Sequence, residues 1–276
     1  MMRKLMYAMR GHDFQDYTTP ESLAQKMAMK KINAVQLALA YSFSDIATDD
    51  KKLSPGLGYT FQQAFQKEHV LISILSCYIN MIHPDKQIRE QLLQRFESYI
   101  RYASFFGAKI VATETGNVLP VIQYTEKNFT DEAFETMISS VLRLVQYAEK
   151  QNICVGIEPG INHPLHSIEK IVRLLDKIHS PSLGIILDPT NLITSDNYNQ
   201  QYEMVKQCLE LFSERIVAFH IKDFIIKGDK IVPVNLGQGL MDYKALLDLI
   251  EAYKPYCLTV LEETKEAHIS SIYSDL

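Results

Sequence analysis

The chain has 276 residues, 47% of them hydrophobic and 22% charged, with a formal net charge of -5 at pH 7. That balance supplies a large core, excludes a disordered chain, and fits either two ordinary domains or one (β/α) barrel of about 250 residues. A pI near 5.9 without any Lys/Arg cluster gives phosphate backbones nothing to bind, which excludes nucleic acid as an expected partner.

In chain order, the N-terminal stretch MMRKLMYAMRGHD has too few apolar residues before Arg10 for a signal segment or a membrane span. A cytoplasmic protein without membrane contact is expected. Apolar runs of strand length follow at 5–9, 32–39, 70–77, 109–113, 153–157, 183–187, 216–221 and 256–261. Their continuous rather than alternating apolarity suits strands covered on both faces, as in a parallel sheet. Between them lie helical patterns. A helix is expected from 85 to Gly107, where glycine makes a C-terminal cap. Thr130 caps a second, whose apolar face is Phe134, Met137, Ile138, Val141, Val145 and Ala148, and Ser167 caps a third.

Intervals of roughly thirty to forty-five residues between strands leave room for the crossovers that parallel strands require. Eight such units favour closure into a (β/α)8 TIM barrel forming one domain, 1–276. An open doubly wound sheet is the alternative, but Arg10-Gly11-His12-Asp13 is no dinucleotide fingerprint. The segment 224–234, with Gly228-Asp229 between apolar flanks, reads as a β-hairpin after strand seven. Cys77, Cys154, Cys208 and Cys257, far apart in sequence, are expected as buried free thiols.

Four strands end on residues that ligate metals: VGIEP gives Glu158, IILDPTN gives Asp188, AFHIKD gives His220 and TVLEE gives Glu262. In a barrel these ends share one mouth. A buried carboxylate without a neighbouring base needs a counter-charge, and three carboxylates with one imidazole suit Mn²⁺ best while admitting Mg²⁺, Co²⁺ or Zn²⁺. Taken singly, Asp188 could cap a turn, Glu158 could start a loop and His220 could be a core histidine. Lys222, two beyond His220, points into the same mouth, to bind substrate or to pair with Asp188 or Glu262. Asp223 is a candidate second-shell group orienting His220 or Lys222. Asn191, Glu114 and His83 are candidate substrate-binding residues; His12 and His163 sit in loops on the same face, where solvent-facing histidines are the ordinary case.

These residues resemble the xylose-isomerase-like barrels, which include sugar-phosphate isomerases and epimerases, ketose 3-epimerases, inosose dehydratases and endonuclease IV. The matching pieces are Glu158-Pro159, Leu187-Asp188-Pro189-Thr190-Asn191, His220-Ile221-Lys222-Asp223, Leu236-Gly237-Gln238-Gly239 with Asp242, Leu261-Glu262, Phe106-Gly107-Ala108 and Glu114-Thr115-Gly116. The resemblance implies a metal on Glu158, Asp188, His220 and Glu262, with Glu158 and Glu262 as acid and base. The chemistry is that of an isomerase or epimerase acting through an enediolate on a small sugar or sugar phosphate. An inosose dehydratase-like lyase and a non-catalytic sugar- or metal-binding barrel are the alternatives. Association into a homo-oligomer is a further implication. Asn191 and Ile231 stand where the endonuclease branch carries histidines, and 221–229 lacks the arginine of the ketose epimerases.

Overall fold

The computed structural model describes residues 4–44, 50–273 and 276. Eight parallel strands close into a barrel: β1 (Met6–Arg10), β2 (Ala34–Ala38), β3 (Leu71–Ser76), β4 (Ile110–Glu114), β5 (Cys154–Glu158), β6 (Leu183–Leu187), β7 (Ile216–Ile221) and β10 (Leu258–Leu261). Closure is made by β1 pairing with β10, Ala8 opposite Val260. β8 (Asp223–Lys227) and β9 (Lys230–Val234) form the expected hairpin, one residue longer at its start, turning at Gly228 with φ +60.

The crossovers are α1 (Pro20–Met29), α2 (Pro55–Lys67), α3 (Lys86–Tyr102), α4 (Asp131–Glu149), α5 (Ile168–Lys177), α6 (Gln201–Phe212) and α7 (Tyr243–Tyr253), with α8 (Glu266–Tyr273) after the last strand. Their starts follow the sequence chemistry. Thr130 accepts from the Ala133 N–H and Ser167 from that of Lys170, each satisfying a donor that the first helical turn leaves free. α3 tightens into a 3-10 turn at Ala103–Phe106 and ends at Gly107 with φ +80, a backbone state that favours glycine. No helix among the described residues is long and apolar enough to cross a membrane.

Two apolar layers result. Between sheet and helices lies the larger, with Phe61, Phe65, Phe96, Phe106 and Phe134 essentially inaccessible. Inside the barrel a smaller layer is built from Ala8, Ala34, Ile74, Ala112, Ile186, Ala218 and Val260. β5 contributes Gly156 there, because a Cβ would stand 2.7 Å from Ile186 Cδ1. Side chains on a strand return to the same face every second residue. The residue two beyond each interior position is Arg10, Gln36, Ser76, Glu114, Glu158, Asp188, His220 or Glu262. The barrel floor is therefore apolar and the next level towards the C-terminal ends wholly polar. None of the four cysteines forms a disulfide; burial pushes the thiols of Cys154 and Cys257 to about 11 and that of Cys208 to about 12, so these three stay protonated.

Candidate metal centre

Glu158, Asp188, His220 and Glu262 are brought together at this level. One ligand atom from each lies within 4.8 Å of the others, and all four side chains are buried. His220 Nδ1 stands 3.1 Å from Glu158 Oε1 and 3.1 Å from Glu262 Oε1. Asp188 divides its carboxylate. Oδ1 accepts from the Thr190 N–H at 2.8 Å, capping the 3-10 turn Pro189–Leu192, and Oδ2 faces the cluster. The turn-capping reading of Asp188 thus holds for one oxygen only.

Two of these buried atoms, Asp188 Oδ2 and His220 Nδ1, have no hydrogen-bond partner. Asp188 Oδ2 is ion-paired with Lys222 Nζ, 2.7 Å away. Charged and polar groups buried this deeply are costly unless opposite charge meets them. With His220 neutral, three carboxylates against Lys222 leave about two negative charges, which a divalent cation would offset. The donor set therefore fits a metal ion on chemistry and on charge alike.

The surrounding residues fix the cluster. Asn191 donates from Nδ2 to Glu158 Oε1 at 2.7 Å and accepts at Oδ1 from Lys222 Nζ at 2.8 Å, bridging two site residues. Lys222 Nζ also lies 3.5 Å from Glu262 Oε2. Arg10 grips Asp13 through two donors, 2.9 and 2.7 Å, reaches Glu263 at 2.8 Å and approaches Glu262 Oε2 at 3.5 Å. His220 donates from Nε2 to Gln36 Oε1 at 2.8 Å.

The charges respond accordingly. Burial pushes the Glu262 carboxyl up, but His220, Lys222 and Arg10 overcome it and hold it at about 2. Burial raises Glu158 and Asp188, which face fewer cations. Burial also opposes charge on His220, yet Glu262 and Glu158 lift it to about 9 in the metal-free protein. Lys222 is raised by Asp188 and Glu262 against its own burial, so it stays charged.

A cavity of about 550 Å³ opens onto the cluster, walled by Arg10, Tyr41, Tyr78, Glu114, Asn191 and Lys222. His12 also faces it, its ring lowered to about 4 by burial and Arg10. Glu114 is paired instead with His163, whose Nε2 is 3.5 Å from Oε2 and whose Nδ1 donates to Gly116 O at 2.8 Å. His163 is buried rather than solvent-facing because that carbonyl holds it.

Two of the expected site residues make their contacts with backbone groups. His83 is not part of the cavity wall; it is buried and accepts from the Asp85 N–H at 3.1 Å, at the start of α3. Asp223 orients neither His220 nor Lys222. Its Oδ1 accepts from the N–H groups of Phe224 and Met241, and its Oδ2 from those of Gly237 and Gly239, at 2.8 to 3.0 Å. The loop 236–239 thus wraps a buried carboxylate, and Gly239 allows it because a Cβ would fall 2.3 Å from Asp223 Oδ1.

A closed parallel barrel with a buried carboxylate–imidazole quartet at its strand ends defines the class of protein. The family model described as a xylose isomerase-like TIM barrel matches residues 31–270, and the chain belongs to that family. It is 32% identical over 128 residues to the 3-oxo-isoapionate decarboxylase of Pectobacterium atrosepticum, covering 44% of this chain and 42% of that one. It is 22% identical over 190 residues to the inosose dehydratase of Glaesserella parasuis, covering 60% and 61%. Both matches span less than two thirds of these relatives. A solved D-tagatose 3-epimerase-like protein superposes with TM-score 0.76 at 16% identity, covering 98% of this chain and 96% of its own, which shows the shared fold.

Proposed function

We propose that the protein is a metal-dependent isomerase or epimerase of a small polyol, ketose or sugar phosphate. Glu158, Asp188, His220 and Glu262 hold the cation, and Glu158 and Glu262 are the acid/base pair. The observation that carries this reading is the buried quartet with two of its donor atoms left without hydrogen-bond partners. The oxygen-rich donor set with one nitrogen favours Mn²⁺, then Mg²⁺, Co²⁺ or Zn²⁺. When bound, the cation supplies Lewis acidity that makes a C–H beside a carbonyl easier to deprotonate.

The chain's own residues supply the rest. Glu158 at the end of β5 and Glu262 just after β10 are separated by β6 and β7 around the barrel, so their carboxylates approach the centre from different sides. A proton taken from carbon by one and returned by the other to the opposite face of the enediolate inverts that carbon. Returned to the neighbouring carbon, it exchanges carbonyl and hydroxyl. Lys222 and Asn191 line the cavity beside both carboxylates, and in this reading they bind substrate oxygens. Tyr41, Tyr78 and Ile122 line the same cavity and reduce the water there.

A lyase reading has a specific observation in its favour, because the two curated relatives are called a decarboxylase and a dehydratase. Elimination of water would use the same carboxylates, one taking the carbon-bound proton and the other protonating the departing hydroxyl. One experiment separates the readings: metal-replete protein incubated in heavy water with a panel of ketoses, inososes and sugar phosphates, followed by mass spectrometry. Deuterium taken up at one carbon without change of formula is the expected result. Loss of water or carbon dioxide assigns a lyase instead, and an unaltered panel removes the catalytic reading.

A further inference from the structure

Gln36 is the one polar residue in β2, whose sequence is Ala-Val-Gln-Leu-Ala, and it is fully buried. Burying an amide in an apolar strand is costly unless its hydrogen bonds are met, so its partners indicate its task. Its Oε1 lies 2.8 Å from His220 Nε2, across 184 residues of sequence, and its Nε2 reaches the Tyr78 hydroxyl at 3.4 Å.

We infer that Gln36 is a positioning residue that fixes His220 in the tautomer whose Nδ1 can hold a cation; this rests on the reading of the quartet as a metal centre. A neutral imidazole carries one N–H and one lone pair. An amide oxygen only accepts, so the Gln36 contact places the proton on Nε2. In the neutral ring the lone pair is then on Nδ1, the atom that stands 3.1 Å from Glu158 Oε1 and from Glu262 Oε1. If the amide were turned round, its NH₂ group would face Nε2, the proton would move to Nδ1 and the ligand would be lost. In the orientation present, the amide nitrogen donates to the Tyr78 hydroxyl at 3.4 Å while Oε1 faces His220.

The backbone is built to present this side chain. β3 carries an extra residue where it passes Val35 and Gln36, so that Val35 pairs with Ile72 but Gln36 with Ile74. Such a bulge re-aims side chains next to functional sites. It is pinned by Ser73 Oγ donating to Val35 O at 2.9 Å. Gln36 therefore sits beside interior Ile74, two residues above Ala34, at the level of the metal quartet.

The test uses the full-length protein and Zn²⁺ or Co²⁺ as the probe. Dissociation constants are read by chelator competition, His220 by long-range ¹H–¹⁵N spectra of the Zn²⁺ form, and folding by circular dichroism. In the wild type, one ion binds and the spectra show His220 protonated at Nε2. Gln36→Leu, which fills the space without an acceptor, weakens the metal by about 10- to 100-fold. Gln36→Glu, a stronger acceptor, restores wild-type affinity or exceeds it. The inference is overturned if the wild type binds and Gln36→Leu binds equally well, or if Gln36→Glu is as weak as Gln36→Leu, which marks a packing role. A folding failure of Gln36→Leu leaves Gln36→Glu and the His220 spectrum to decide, and a wild-type His220 protonated at Nδ1 refutes the tautomer. A wild type that takes no metal sinks the metal centre itself, and this inference with it.

Discussion

Glu158→Gln and Glu262→Gln each lower turnover by about 10²- to 10⁴-fold, the usual contribution of a general acid or base, while the fold is retained. The amide that replaces either carboxylate is nearly the same shape but cannot accept a proton from carbon. At position 158 the remaining oxygen can still accept from Asn191 Nδ2, which now bonds Oε1 at 2.7 Å. At position 262 the change removes a carboxylate that Lys222, Arg10 and His220 together keep ionised at about 2. Each change also removes one charge from the cation's donor set, so metal content is measured beside kcat at saturating metal. Metal-loaded variants that turn over at the wild-type rate would remove the proton-transfer roles.

The second large effect is on stability. In the metal-free protein, stability falls as pH rises from about 6.5 to about 9. His220 titrates at about 6.5 when unfolded and at about 9 when folded, held up by Glu262 and Glu158 against burial. A group raised in this way contributes fully below its unfolded pKa, and the contribution is lost as pH passes through the folded value. Glu158 and Asp188, raised by burial, act in the same direction. Glu262 acts oppositely: its stabilisation is present above about 4.5 and lost only as pH falls towards about 2. A cation that binds neutral His220 removes the alkaline loss, and at about a thousand times its dissociation constant adds about 4 kcal/mol. Urea denaturation between pH 6 and 10, with chelator and with metal, measures both effects. A metal-free protein whose stability is level across that range contradicts the charge arrangement described for His220.

The barrel was legible because β-strands covered on both faces carry long apolar runs, and all eight strands fall within the runs read from sequence, to within one or two residues at their ends. The clustering of Glu158, Asp188, His220 and Glu262 was legible for a related reason: a carboxylate or imidazole that closes an apolar strand stands out. The same rule had more to give. Arg10 closes β1 as Glu158 closes β5, and Gln36 interrupts β2, yet neither is a carboxylate or histidine, and their partners lie 252 and 184 residues away. Counting two residues on from each small or apolar interior position would have found both. For His83 and Asp223, sequence shows only that a polar residue is near a strand end. It does not show which backbone N–H groups will claim that side chain. For Asp223 four of them do, from as far along the chain as Met241.

The most direct test is anomalous diffraction from crystals of the full chain grown with Mn²⁺. A single peak within coordination distance of Glu158, Asp188, His220 Nδ1 and Glu262 is the expected result. No peak at that point, or a peak bound elsewhere with Lys222 still against Asp188, would contradict the metal centre on which the proposed chemistry stands.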